Sequence, residues 1–179
     1  EYAKKRAKEE KKDVSFCLVS NLTMMDDDKL DFLMENKFGL CTSLDGPAFV
    51  HDKNRPLNGA GSYEKVTHWI DVIKNQKNYE LNALPTITRH SLEFPREIVD
   101  EYRKWGFPLI RIRQMNNAGF AAQRWNQIGY SADEFISFWK NAFGYCLELN
   151  RETKGIKEGI AALFAERILS KGYAPYTCL

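Results

Sequence analysis

Long apolar runs are missing from this sequence: none approaches the ~20 residues that cross a bilayer, so no membrane span is predicted. Charge of one sign is missing as well. A net charge of +2 gives no strong pull toward nucleic acid. Residues 1–12 are charged throughout and lack the apolar stretch of a signal peptide, so they read as a solvated helix. Gly-x-Ser-x-Gly is absent, and Gly59-Ala-Gly61 is too short for a phosphate loop or a dinucleotide fingerprint. No nucleophile system is visible, and no residue stands out as a catalytic acid or base.

Cysteine and histidine are scarce. Cys17, Cys41, Cys146 and Cys178 do not fall at metal-ligand spacings, and neither do His51, His68 and His90. The residues alone therefore predict no metal site. Cys17 and Cys41 lie inside apolar runs and read as buried, reduced core thiols, whereas Cys178 has no core pattern around it. Asp26-Asp27-Asp28 resembles a metal cluster only in composition. Adjacent helical residues fan out around the axis, so the run is better read as a helix N-terminus.

What is present is an alternation of strands and helices. Val14–Val19 and Phe38–Ser43 read as short apolar strands, and Ala83–Thr88 as a third, with Pro85 awkward in its interior. Pro108–Arg113 reads as a fourth, with Arg111 and Arg113 alternating against Ile110 and Ile112. Helices are predicted from Asp26 to about Asn36, from the Ser62 N-cap through Ile73, and from Pro95 to Gly106. Residues 118–130 show no clean period. Ser131 with Glu134 forms a capping-box pattern for a helix to about Asn150, and a last helix around 156–170 aligns Ile160, Leu163, Phe164 and Ile168.

This order predicts an α/β fold with about four parallel strands and a helical C-terminal part. Polar residues collect at the strand ends: Ser20 and Asn21, Ser43 and Asp45, Thr86 and Thr88, Arg113 and Gln114. Carboxyl ends of parallel strands are where open sheets and barrels place ligands. Four strands cannot close an eight-stranded barrel, so the sheet is open or the chain is a piece of something larger. Any one of these residues taken alone could be a turn former or a solvated ion. Their coincidence on four strands favours a site. The centre of the pattern is Leu40–Pro56, where an apolar strand runs into Ser43-Leu-Asp45-Gly46-Pro47 and a loop carries Arg55.

Leu18-Val-Ser20-Asn21-Leu-Thr23, Ser43-Leu-Asp45-Gly46-Pro47, His51-Asp-Lys-Asn54-Arg55-Pro56 and Gly61-Ser62-Tyr-Glu-Lys-Val66, in this order, resemble the radical S-adenosylmethionine enzymes. The likeness is to the peptide-maturase branch that includes anaerobic sulfatase-maturating enzymes. It is strong over 14–113 and weaker beyond. Glu97–Tyr102 and Gly119–Ala122 also look like the maturases of the His-Xaa-Ser peptide system.

The resemblance implies a partial (β/α) barrel, TIM-barrel-like, holding S-adenosylmethionine and a 4Fe-4S cluster at the strand ends. The family's C-x3-C-x2-C and Gly-Gly-Glu-Pro motifs are missing here, so Val14–Val19 matches the family's third strand. Residues 1–130 would then be a partial barrel lacking its first two strands. Residues 131–179 would be a helical segment leading to a C-terminal extension. On this mapping Ser43 binds the cofactor carboxylate with Arg55 as charge partner. Ser20 and Asn21 line the cofactor wall, Arg113 or Gln114 lies near adenine, and Asp45 shapes the loop. The implied reaction is reductive cleavage of S-adenosylmethionine to a 5′-deoxyadenosyl radical, then hydrogen abstraction from a peptide. The implied partners are a peptide or protein substrate and an electron donor such as flavodoxin or ferredoxin, without nucleic acid or membrane, in the cytoplasm. As a fragment, the chain alone is expected to be inactive. The competing reading is a non-catalytic α/β binding or scaffold module. A C-x3-C-x2-C motif upstream of Glu1 would decide for the enzyme.

Overall fold

The computed structural model describes residues 1–57, 59, 61–152 and 155–170. The expected tail from Tyr173, including Cys178, lies outside them. The chain divides into two compact units, one formed by Glu1–Ser43 with Glu64–Asn82, the other by Leu44–Tyr63 with the chain from Ala83 onward.

The first unit opens with α1 (Tyr2–Glu9), a fully solvated helix laced by Arg6 pairing with Glu9 and Glu10. Strand β1 (Phe16–Ser20) leads to α2 (Asp27–Glu35), and β2 (Phe38–Ser43) follows. The acidic run works as a cap: the Asp26 carboxylate accepts from Lys29 N–H at 2.9 Å, and Asp27 and Asp28 occupy the first turn. β1 and β2 pair in parallel with Leu18 opposite Leu40 and Ser20 opposite Thr42. Helix α4 (Tyr63–Asp71) continues into a wide turn over Val72–Gln76. Val66, Ile70 and Ile73 of the predicted face are buried. Strand β3 (Leu81–Leu84) then completes a sheet of order β1-β2-β3.

Several expectations need correcting here. Cys17 is exposed, not a core thiol, because β1 is an edge strand whose Cys17–Val19 face is open and Val19 is 65% exposed. Strand β3 ends before Pro85, where the ring removes the ladder donor, rather than running to Thr88. The loop after β2 contains a helix, α3 (Ala48–Asn54), which the polar sequence did not suggest.

In the second unit, α5 (Pro95–Lys104) ends at Gly106, whose φ of +64° suits a residue without Cβ. Ile98 and Tyr102 are fully buried. The predicted fourth strand is only two residues long, β4 (Leu109–Ile110), and pairs in parallel with β5 (Lys157–Glu158) rather than within the three-stranded sheet. The aperiodic stretch forms two single turns, α6 (Phe120–Gln123) and α7 (Trp125–Ile128). Helix α8 (Ala132–Glu152) starts at the predicted capping box, closed in both directions: Ser131 N–H donates to the Glu134 carboxylate at 2.7 Å and Glu134 N–H to Ser131 Oγ at 3.2 Å. It packs against α5, burying Phe138, Ala142 and Cys146. Helix α9 (Gly159–Leu169) carries the last apolar stripe, but Phe164 is 49% and Ile168 81% exposed, so that stripe is not a core face among the described residues. No helix among the described residues is long and apolar enough to cross a membrane.

Glu158 joins β4, β5 and α9. Its carboxylate, 3% exposed, accepts from Ile112 N–H at 3.1 Å and caps α9 through Ile160 N–H and Ala161 N–H at 3.2 and 2.6 Å. Glu158→Ala strands three backbone donors, and urea titration is expected to show a loss of about 3 kcal/mol. Ser131→Ala, removing one exposed cap acceptor, is expected to cost about 1 kcal/mol. Equal losses would contradict this account of Glu158.

Candidate functional site: a polar knot beside a cavity

The second unit begins where β2 hands over to Leu44, a fully buried residue whose N–H donates to Leu84 O at 3.2 Å. Asp45 follows, also fully buried. Gly46 turns the chain at φ +139°, and a Cβ there would meet Ile98 Cγ1 at 2.9 Å. Pro47 then starts α3, which carries His51 and Asn54 at i and i+3 and ends at Arg55, its C-cap.

These side chains close a network. Arg55 donates from Nε to Asp45 Oδ2 at 2.8 Å and from Nη2 to Oδ1 at 3.2 Å, a two-pronged ion pair. The same Nη2 donates to Thr86 Oγ1 at 2.8 Å, and Thr86 N–H donates to Asp45 Oδ1 at 2.8 Å. Asn54 donates to Thr86 O at 3.2 Å and Ser91 Oγ at 3.1 Å and accepts from Thr88 Oγ1 at 2.7 Å. The segment after β3, stripped of its ladder by Pro85, is thus held by α3 side chains.

His51, fully buried, has its tautomer set by its neighbours. Asp45 N–H donates to Nδ1 at 3.2 Å, so the ring proton sits on Nε2 and is directed at Ser62 Oγ, 3.1 Å away. Ser62 in turn donates to Arg55 O at 3.0 Å. Its hydroxyl is thereby spent on the network. The first N–H of α4, on Tyr63, donates to Asp52 Oδ1 at 2.8 Å, so Asp52 reaches the start of the helix that follows Ser62. Gly61 leaves room for the Asp52 carboxylate, which a Cβ there would overlap. Burial pushes the His51 imidazole below its ordinary value, against the opposing pull of Asp45.

Thr86 also faces a cavity of about 540 Å³. Its walls are Pro85–Ile87, Ile112–Asn116, and Phe135, Ile160 and Phe164 from α8 and α9. Arg113 and Gln114, both exposed and both predicted site residues, lie on this wall. The predicted residues thus fall into two sets. In the second unit, Arg55 belongs to the knot, and Thr86 joins the knot to the cavity that Arg113 and Gln114 line. In the first unit, Ser20, Asn21 and Ser43 sit at the ends of β1 and β2. Strand alternation puts Ser43 on the face of Cys41 and Val19, whereas Ser20 lies on the opposite face. There Ser20 lines a groove with Met24, Met25 and Phe32 and accepts from Leu22 N–H at 3.1 Å. Asn21 forms a local turn, accepting from Thr23 N–H and Oγ1 at 3.2 and 2.9 Å. The sequence reading missed Tyr130 and Glu158, which fix the 112–116 wall through Met115 N–H and Ile112 N–H. The adjoining cap residue Ser131 was the only signal near Tyr130.

The residues suit one implied group and not the other. A cavity of about 540 Å³ whose lining mixes Ile, Phe and Met side chains with polar groups of Thr86, Arg113, Gln114 and Asn116 has room for an adenosyl group. A 4Fe-4S cluster needs convergent thiolates. Cys146 is buried, its thiol pushed up to about 12 by desolvation and the Glu158 charge, and no three His, Cys, Asp or Glu side chains converge among the described residues.

Two outcomes follow from the knot. Asp45→Asn removes the charge that Arg55 is committed to and is expected to cost about 3 kcal/mol by urea titration. His51 stays neutral in the fold below the ~6.5 at which the unfolded chain protonates it, so the unfolded state binds more protons and stability falls as pH drops below ~6.5. His51→Gln should flatten that slope, and an unchanged slope would show that His51 does not set it.

No family model matches the chain. A cysteine-type anaerobic sulfatase-maturating enzyme of Clostridium perfringens is 24% identical over 132 residues, 73% of this chain and 35% of that protein. A serine-type enzyme of Bacteroides thetaiotaomicron is 28% identical over 89 residues, 49% of this chain and 21% of that protein. Among solved structures, native anSMEcpe with bound AdoMet has a TM-score of 0.75, and the same protein with AdoMet and a peptide 0.77. Each is 19% identical, over 94% of this chain and 46% of the solved one. The chain therefore spans about a third of the Clostridium relative and under half of the solved structures. In sequence over part of their length, and in fold, this chain is similar to the anaerobic sulfatase-maturating enzymes.

Proposed function

We propose that this chain is the later portion of a radical S-adenosylmethionine barrel from a peptide- or protein-modifying maturase. The described residues of 1–130 belong to a partial (β/α) barrel without the family's first two strands, and those from Ser131 to Ser170 to the helical segment leading out of it. The observation that carries the reading is the pairing of Asp45 with Arg55, two motif residues of the resemblance, on Thr86, which lines a cavity of about 540 Å³. Likeness to relatives of this activity supports it.

In this reading the cavity receives the adenosyl moiety, with Arg113 and Gln114 on its wall. In the first unit, Ser43 and Asn21, at the ends of β2 and β1, are separately assigned as cofactor-binding residues, with Asn21 shaping the turn after β1. Ser20 supports that turn through Leu22 N–H. Arg55, its charge met by Asp45, holds the Thr86 segment in place more than it attracts the ligand. S-adenosylmethionine, when bound, would supply the 5′-deoxyadenosyl group for hydrogen abstraction from a peptide, the electron for its cleavage coming from outside this chain. The residues of this chain bind and orient it and position the peptide. Cluster ligands are assigned to other residues of the longer protein, and the electron donor is a flavodoxin or ferredoxin.

Calorimetric titration with S-adenosylhomocysteine tests the reading. Measurable affinity that falls about tenfold in Arg113→Ala or Gln114→Ala is expected, while Arg89→Ala, outside the cavity lining, leaves it unchanged. Absence of binding by the wild-type chain counts against the adenosyl assignment. After anaerobic incubation with iron and sulfide the chain is expected to show no 4Fe-4S absorption and to form no deoxyadenosine. Either signal would overturn the assignment of the cluster to other residues.

A further inference from the structure

The cavity wall that carries Arg113 and Gln114 is irregular backbone beyond the end of β4. Two of its amides are held by side chains. Ile112 N–H donates to Glu158, and Met115 N–H donates to Tyr130 Oη at 2.7 Å. Arg113 and Gln114 are the two residues between these pins. Met115 is itself part of the wall.

Tyr130 is built to hold such a bond rigidly. It is 8% exposed. Its ring stacks on Phe135 at 5.8 Å and 14°, and meets Trp125 at 6.0 Å. Phe135, on the first turn of α8, also lines the cavity. The next residue, Ser131, is locked by the reciprocal capping bonds of α8. On the other side Gly129 N–H donates to Trp125 O at 2.7 Å, and Arg89 N–H donates to Ile128 O at 2.8 Å. The phenol oxygen therefore has its place set by a helix start and a turn, and it transfers that place to Met115.

We propose that Tyr130 is a positioning residue of the cavity: its hydroxyl, held at the start of α8, fixes the Met115 amide and with it the presentation of Arg113 and Gln114 to an adenosyl ligand. This rests on the adenosyl reading of the cavity. Tyr130 touches no ligand in the proposal and acts through the backbone of the wall. Phe at this position keeps the ring contacts and removes the acceptor, leaving Met115 N–H without its partner and the wall pinned at Glu158 alone.

The test uses the full chain and its Tyr130→Phe variant. Amide exchange at Met115 is expected to accelerate about tenfold with little change in exchange across α5. Affinity for S-adenosylhomocysteine per folded molecule is expected to weaken about fivefold, beyond the drop in urea midpoint that one unpaired amide brings. A purely structural tyrosine would shift the midpoint alone and leave affinity per folded molecule intact, which would overturn the proposal. Unchanged exchange at Met115 would overturn it as well. If the wild-type chain binds no S-adenosylhomocysteine, the adenosyl reading fails, and Met115 exchange still decides whether Tyr130 sets the wall. Should the Phe variant fail to fold, 3-fluorotyrosine at position 130 weakens the same acceptor and is read in the same way.

Discussion

The second unit is organised by one buried ion pair. Asp45 has 1% of its side chain exposed, and removing a carboxylate from water costs several kcal/mol. The geometry offsets that cost: two guanidinium N–H groups and the Thr86 N–H all point at its two oxygens. Such a pair adds less net stability than its contacts suggest, but it is intolerant of rearrangement, since moving any partner leaves a charge buried alone. It therefore fixes the relation of three pieces of chain: the segment leaving β2, the end of α3 and the segment leaving β3. Each comes from a different part of the sequence, and no local signal relates them.

The His51-Asp52-x-Asn54-Arg55 stretch has a structural task for every named residue. Helical spacing turns His51 and Asn54 toward the strand ends, and Arg55 follows as the C-cap. His51 meets the Asp45 amide, Asn54 the Thr86–Ser91 turn, and Arg55 the Asp45 carboxylate. Asp52 reaches across the next loop to the start of α4. The first effect of this stretch is to fold a polar loop without secondary-structure ladders. What that loop leaves in place at the cavity is chiefly Thr86, on its wall.

Local signals were legible in the sequence and distant pairings were not. The α8 capping box is a three-residue relation and reads directly, as do β2, the acidic start of α2 and the Gly106 stop of α5. Helix α3 did not read, because its seven residues are stabilised by the knot rather than by an apolar face. The β4–β5 pair joins residues nearly fifty apart through a two-residue ladder, too short for any periodic pattern. Cys17 and the α9 stripe failed for the opposite reason: an apolar pattern says which side chains favour burial, not whether anything covers them. At the candidate site, residue types at strand ends named Arg113 and Gln114, which lie on the wall of the cavity. They could not distinguish Ser20, turned toward α2, from Ser43 on the other face.

A common device underlies the cavity walls. Strands that carry a ligand at their ends must stop pairing before they reach it, and each stop leaves backbone donors without a ladder. In this unit those donors are met by side chains: Thr86 N–H by Asp45, Ile112 N–H by Glu158 and Met115 N–H by Tyr130. Glu158 also caps α9, and Tyr130 immediately precedes the Ser131 cap of α8. The cavity wall is consequently fastened to helix starts, the most rigidly specified points of the local sequence. Substitutions at those caps therefore act on the cavity as well as on their helices, even where the substituted side chain lies outside the lining.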